Sequence, residues 1–127
     1  MKKAILTTDA PAPIGPYSQA IQSGNTLFIS GQIAIDPATN DLITGSIEDE
    51  THQVLKNIGA ILKTAGLNYD HVVSNTVFVK DMGMFSRINA IYSLYFNSPI
   101  PPARALVQVT ELPKYVNIEI STIAHFE

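Results

Sequence analysis

The stretch SPIPPARALVQVTELPKYVNIEISTIA, Ser98–Ala124, opens on three prolines and continues as two alternating runs separated by a turn. Each proline fixes φ, removes a backbone donor and biases the preceding residue toward extended geometry. Pro99, Pro101 and Pro102 therefore exclude helix and make a rigid lead-in to Arg104. Ala103–Val109 alternates as a strand, Leu112-Pro113-Lys114 turns, and Val116, Ile118 and Ile120 alternate again as far as Ala124. These runs read as a closing hairpin. With its turn centred between Glu111 and Leu112, Arg104 lies directly across from Glu119, and opposed residues share a face. Arg104 faces away from Ala105, Val107 and Val109, and Glu119 faces away from Ile118 and Ile120. A cation and a carboxylate are thus expected side by side. Such a pair has two uses. Exposed, it is a cross-strand salt bridge worth about 0–1 kcal/mol. In a cleft, the Arg fork takes a substrate carboxylate bidentately, at roughly 1.5–3 kcal/mol, and the Glu holds or deprotonates a water.

Working backward, Val72–Lys80 (VVSNTVFVK) is a β-rich run, and Phe85, Ile88, Ile91, Tyr92, Tyr95 and Phe96 repeat at helical spacing before Pro99. A longer helix precedes them. Ser46 is its N-cap, Glu48, Asp49 and Glu50 fill its first turn, and Gly66 stops it. Strands are expected over Lys3–Thr7, Ser18–Ser23 and Thr26–Ile35, with Gly24-Asn25 as a hairpin turn and Gly31 as a bulge or close approach. Asp9–Tyr17 (DAPAPIGPY) is an ordered loop. The order is β-β-β-α-β-α-β-β, an α+β mixed sheet with both helices on one face. Its other face, lined by Val, Ile, Ala and Thr, needs a cover, and a symmetric oligomer is the simplest.

Residues 1–127 suit a single domain. There is no Cys, so no disulfide, thiolate nucleophile or zinc ribbon, which fits a reducing cytoplasm. Eight Lys+Arg against eleven Asp+Glu, net −3, argue against a nucleic-acid surface. No targeting segment or membrane span is read. His52, His71 and His125 match no metal-ligand spacing, so no metal is expected.

Pro101–Ala124 resembles the C-terminal signature of the RidA/YjgF family, the reactive-intermediate imine deaminases. APIGPYSQAI, LFISGQI and VVSNTVFVKDM match it as well, so the similarity covers essentially the whole chain. It implies a fold like chorismate mutase, a homotrimer around a central barrel, and sites in clefts between subunits. The implied reaction is cofactor-free hydrolysis of 2-imino acids, formed from enamines such as 2-aminoacrylate, to 2-keto acids and ammonia. The matching positions are Arg104 for the carboxylate, Glu119 for the water, Tyr17, and Ser30 with Gly31; the Leu106 amide adds a donor. Leu106 stands where many relatives carry Cys, which implies a drier pocket, no thiol-based control and a preference for larger apolar imines. Tyr17 either closes the pocket and donates a proton or packs on its proline-rich loop. Ser30 either acts in catalysis or bonds backbone as an ordinary strand hydroxyl. Two other functions stay open: a keto-acid-sensing or chaperone-like trimer without turnover, and an endoribonuclease or translation inhibitor.

Overall fold

The computed structural model, covering Met1–Glu127, runs β1 (Lys2–Ile5), β2 (Ala20–Ser23), β3 (Thr26–Gln32), α1 (Ile47–Thr64), β4 (Val72–Val79), α2 (Phe85–Tyr95), β5 (Ala103–Gln108) and β6 (Ile118–His125). This is the expected order. Ser46 is extended, and its hydroxyl accepts the Asp49 N–H at 3.0 Å, which starts α1. At the other end Gly66 takes φ +83°, and Leu67 N–H donates to Leu62 O at 2.8 Å, so the helix stops where its glycine permits a left-handed residue. The β3 strand is shorter than expected. It bulges between Ile29 and Gln32, and Ile35 returns only as an isolated bridge to Leu42.

One sheet holds all six strands in the order β1-β2-β3-β6-β4-β5. A single cluster of 21 buried apolar residues joins one face to α1 and α2; it includes Leu27, Val77, Ile118 and Ile120 from the sheet and Leu55, Ile58 and Ile88 from the helices. Burying these side chains contributes about 1.5–3 kcal/mol each. No helix covers the opposite face, where Phe28 and Val107 stand 48% and 40% exposed. A smaller cluster of Ile33, Ile35, Leu112 and Val116 pins the segment after β3 to the β5–β6 connection. No helix is long and apolar enough to cross a membrane.

The closing hairpin does not form. β5 pairs in parallel with β4, placing Arg104 beside Asn75 and Val107 beside Phe78. β6 takes the other edge of β4, antiparallel, placing Glu119 beside Phe78 and Thr122 beside Asn75. Arg104 and Glu119 are therefore two strands apart, about 10 Å, and offset along the strands by three residues, about another 10 Å. They also lie on opposite faces. Arg104 shares its row with buried Asn75 and Thr122 on the helix side, whereas Glu119 shares its row with Phe78 and Val107 on the uncovered side. The alternation within each strand is as expected; the neighbour is not. A strand–helix–strand run makes parallel neighbours, so β4-α2-β5 places β4 between the two segments. The β5–β6 connection crosses this gap through a tight turn in which Lys114 and Tyr115 take φ 55° and 59°.

Candidate functional site

Two half-sites result. The first surrounds Glu119. The β3 bulge brings Gly31 against its carboxylate so closely that a Cβ on Gly31 would sit 2.5 Å from Glu119 Oε2. Gly31 has ordinary negative-φ backbone, so glycine is needed here for space alone. Tyr17, Ile14, Ile33, Ile35 and Pro113 line the same cleft of about 50 Å³. Glu119 is half-buried, and burial among these groups raises its pKa above the usual carboxylate value, with no cation nearby to oppose it. No group of the chain hydrogen-bonds to its carboxylate, and both ion pairs lie elsewhere, at Lys80–Glu111 and Arg87–Glu48.

Tyr17 is 46% exposed, and its hydroxyl accepts the Ile14 N–H at 3.2 Å, leaving the phenolic proton free to donate. Ser30 lies next to the cleft, but its Oγ donates to Ser18 O at 2.6 Å. That is the strand-hydroxyl geometry, and only its lone pairs remain available.

The second half-site is Arg104 at the start of edge strand β5. Its Nη1 donates to Asn89 Oδ1 at 2.7 Å, and its guanidinium lies over the rings of Tyr92 and Phe85, at 4.8 and 5.8 Å from their centroids. No carboxylate pairs with it, so charge and several donors remain for a ligand. Val109 N–H donates to Val79 O at 2.9 Å. Alternation then turns the amides of Arg104, Leu106 and Gln108 to the open edge of the sheet. The Leu106 side chain packs against the main core beneath α2 rather than lining the Glu119 cleft.

Residues 7–126 match the model of the Endoribonuclease L-PSP family. The chain belongs to this family, the YjgF/RidA/RutC proteins. A RutC family protein of Pyrococcus horikoshii is 53% identical over 127 residues, all of both chains. The mouse protein named 2-iminobutanoate/2-iminopropanoate deaminase is 48% identical over 98% of this chain and 91% of its own. The crystal structure of the Escherichia coli YjgF gene product superposes with TM-score 0.93 at 42% identity, covering 98% of this chain and 99% of that one.

Three supporting groups in this YjgF/RidA chain escaped sequence reasoning. Gln19, 1% exposed, accepts the Thr7 N–H at 2.8 Å and donates to Thr7 O, Ala10 O and Pro11 O. It ties down the loop that carries Tyr17. Its polarity inside a strand-like run beside a proline-rich loop was the available signal. Glu50, expected to serve the α1 dipole, is instead 2% exposed and reaches across to β6. Its carboxylate accepts the Asn117 N–H at 2.8 Å, Asn117 Nδ2 at 2.9 Å and the Ile118 N–H at 3.2 Å, which sets the start of the strand that carries Glu119. Asn89 faces Arg104 across the α2–β5 contact, which no local pattern encodes.

Proposed function

We propose that the protein hydrolyses small 2-imino acids, such as 2-iminopropanoate and 2-iminobutanoate, to 2-keto acids and ammonia. It does so as a homotrimer whose sites form between copies. The observation that carries this reading is the separation itself. Each chain presents an unpaired, half-buried carboxylate in a small cleft on one face and an unpaired guanidinium at the edge of the other. One chain cannot bring them to one small substrate. A second copy can, by setting its β5 edge against the first copy's uncovered face. The exposed apolar side chains there and the open β5 amides favour that docking.

In such a site the Arg104 fork grips the substrate carboxylate and the Leu106 N–H of the same copy adds a donor. Glu119 of the neighbouring copy holds a water against the imine carbon. The water oxygen bonds to that carbon, and its proton passes through Glu119 to the nitrogen. The proton left on the added hydroxyl then passes to the nitrogen by the same carboxylate as the C–N bond breaks, so that ammonia leaves and the C=O bond of the keto acid forms. A carboxyl with a pKa above the usual value suits this shuttle near neutrality. Tyr17 supplies a second proton donor. An imine is already electrophilic, so holding the reactants in line accounts for most of the acceleration. The name of the mouse relative supports the substrate class. RNA cleavage is less well supported: the net charge is −3, and Lys80 and Arg87 are already paired with acids.

The test generates 2-iminobutanoate in place with an amino-acid oxidase and follows its trapping by semicarbazide. Wild-type protein lowers trapping, and Arg104→Ala abolishes the effect. Unchanged trapping together with binding of 2-oxobutanoate favours a sensor without turnover. Light scattering reads a trimer, and a stable monomer defeats the shared site.

A further inference from the structure

Behind Arg104 a chain of polar groups runs through the main core, ending on the core residue Tyr92. Thr122 Oγ1 donates to Asn75 Oδ1 at 2.7 Å, and Asn75 Nδ2 donates to the Tyr92 hydroxyl at 2.8 Å. Thr122, Asn75 and Tyr92 are only 2%, 1% and 8% exposed. Burying such groups in a core is costly unless each is satisfied, and apolar residues would pack there without that condition. The chain ends at the ring over which the Arg104 guanidinium lies, 4.8 Å from the centroid. Asn75 and Thr122 occupy the same sheet row as Arg104, so ring and cation are anchored to one line of backbone. Phe85, Asn89 and Tyr92, at positions i, i+4 and i+7, make one face of α2, and all three touch the guanidinium.

We infer that Tyr92 is a positioning residue for Arg104, with Asn75 and Thr122 fixing the ring so that the guanidinium presents its unused donors at the open β5 edge. A flexible Arg would lose rotamer freedom on gripping a carboxylate; a ring beneath it and an amide beside it remove that cost beforehand. The lone hydrogen bond to neutral Asn89 orients the fork without neutralising it. Tyr92 touches Arg104 and is not assigned contact with the reacting atoms. The inference rests on the Arg104–carboxylate reading above, and it adds a cause for that residue's orientation.

The experiment compares Tyr92→Leu, Tyr92→Phe, Arg104→Ala and the two Tyr92 variants combined with Arg104→Ala. Binding of 2-oxobutanoate is read by calorimetry in every variant and, where Arg104 is retained, also by competition against imine hydrolysis. Loss of the ring face in Tyr92→Leu is expected to weaken binding about tenfold, the scale of a partly desolvated cation–π contact. Tyr92→Phe keeps the ring but frees it from Asn75 and is expected to weaken binding about threefold. Neither change should matter further in combination with Arg104→Ala, because the effect acts through the guanidinium. A merely structural role moves the melting temperature without this dependence on Arg104. Equal losses with and without the Arg104→Ala substitution overturn the inference, and so does wild-type affinity in Tyr92→Leu. Should Tyr92→Leu not fold, the same comparison is read from Tyr92→Phe, where unchanged binding overturns it. Arg104→Ala binding as well as wild type overturns the carboxylate reading itself, a distinguishable failure.

Discussion

Gly31→Ala tests the Glu119 half-site most sharply. The new Cβ would stand 2.5 Å from Glu119 Oε2, 2.8 Å from Cδ and 3.1 Å from Cγ, where ordinary contact begins at 3.4 Å. The carboxylate must therefore retreat by about 0.9 Å, the shortfall at its closest atom. Its far end is half-buried and unbonded, so the side chain can turn away at a cost of about 0.5–1.5 kcal/mol. For a domain of this length that lowers Tm by about 2–6 °C. Catalysis suffers more. A displacement near 1 Å costs about 10²-fold, about 2.7 kcal/mol of transition-state stabilisation. Imine hydrolysis by semicarbazide competition and a thermal melt separate the two effects. A folded Gly31→Ala protein with kcat/KM within about threefold of wild type would show that the close approach has no role in placing the carboxylate. A collapse in Tm would place the strain in the backbone rather than in a movable side chain.

Four other outcomes are expected. Because burial raises the Glu119 pKa, the folded protein binds its proton more tightly than the unfolded chain does, so this group lowers stability as pH rises through that window; Glu119→Gln should abolish turnover yet raise Tm at neutral pH, and a fall in Tm contradicts the unpaired carboxylate. In the wild type, activity carried by ionised Glu119 should fall as pH drops through a midpoint above the ordinary Glu value, and a midpoint at or below it refutes the desolvation argument. Glu48 is held at about 2, down from 4.5, chiefly by its hydrogen bonds from Arg87, so the Tm advantage of wild type over Glu48→Gln should be present above pH 4.5 and lost toward pH 2. Gln19→Ala removes a side chain that satisfies four backbone groups and should cost about 2–3 kcal/mol in urea denaturation, with loss of turnover as the Tyr17 loop loosens; unchanged stability argues that the loop is held by its prolines alone.

The helices were legible because their signals are local. Ser46 caps α1, Gly66 ends it, and the apolar repeat between them faces the sheet. Alternation in β5 and β6 was legible for the same reason: Arg104 does point away from Ala105, and Glu119 does point away from Ile118 and Ile120. The misreading lay in joining the two patterns. Period-two alternation orders the faces within a strand and says nothing about which strand lies beside it. Nothing local shows that Val72–Val79 lies between Ala103–Gln108 and Ile118–His125.

The roles of Gln19 and Glu50 were hidden for a related reason. Both reach partners far along the chain, Glu50 across 67 and 68 residues to Asn117 and Ile118. From sequence alone came the element order, the caps, the proline lead-in to Arg104 and the residues worth watching. Tertiary structure alone decided that the cation and the carboxylate occupy opposite faces of the sheet, with β4 between their strands. Local propensity acts over a few residues, whereas strand order is settled by how the whole set of elements buries its apolar surface.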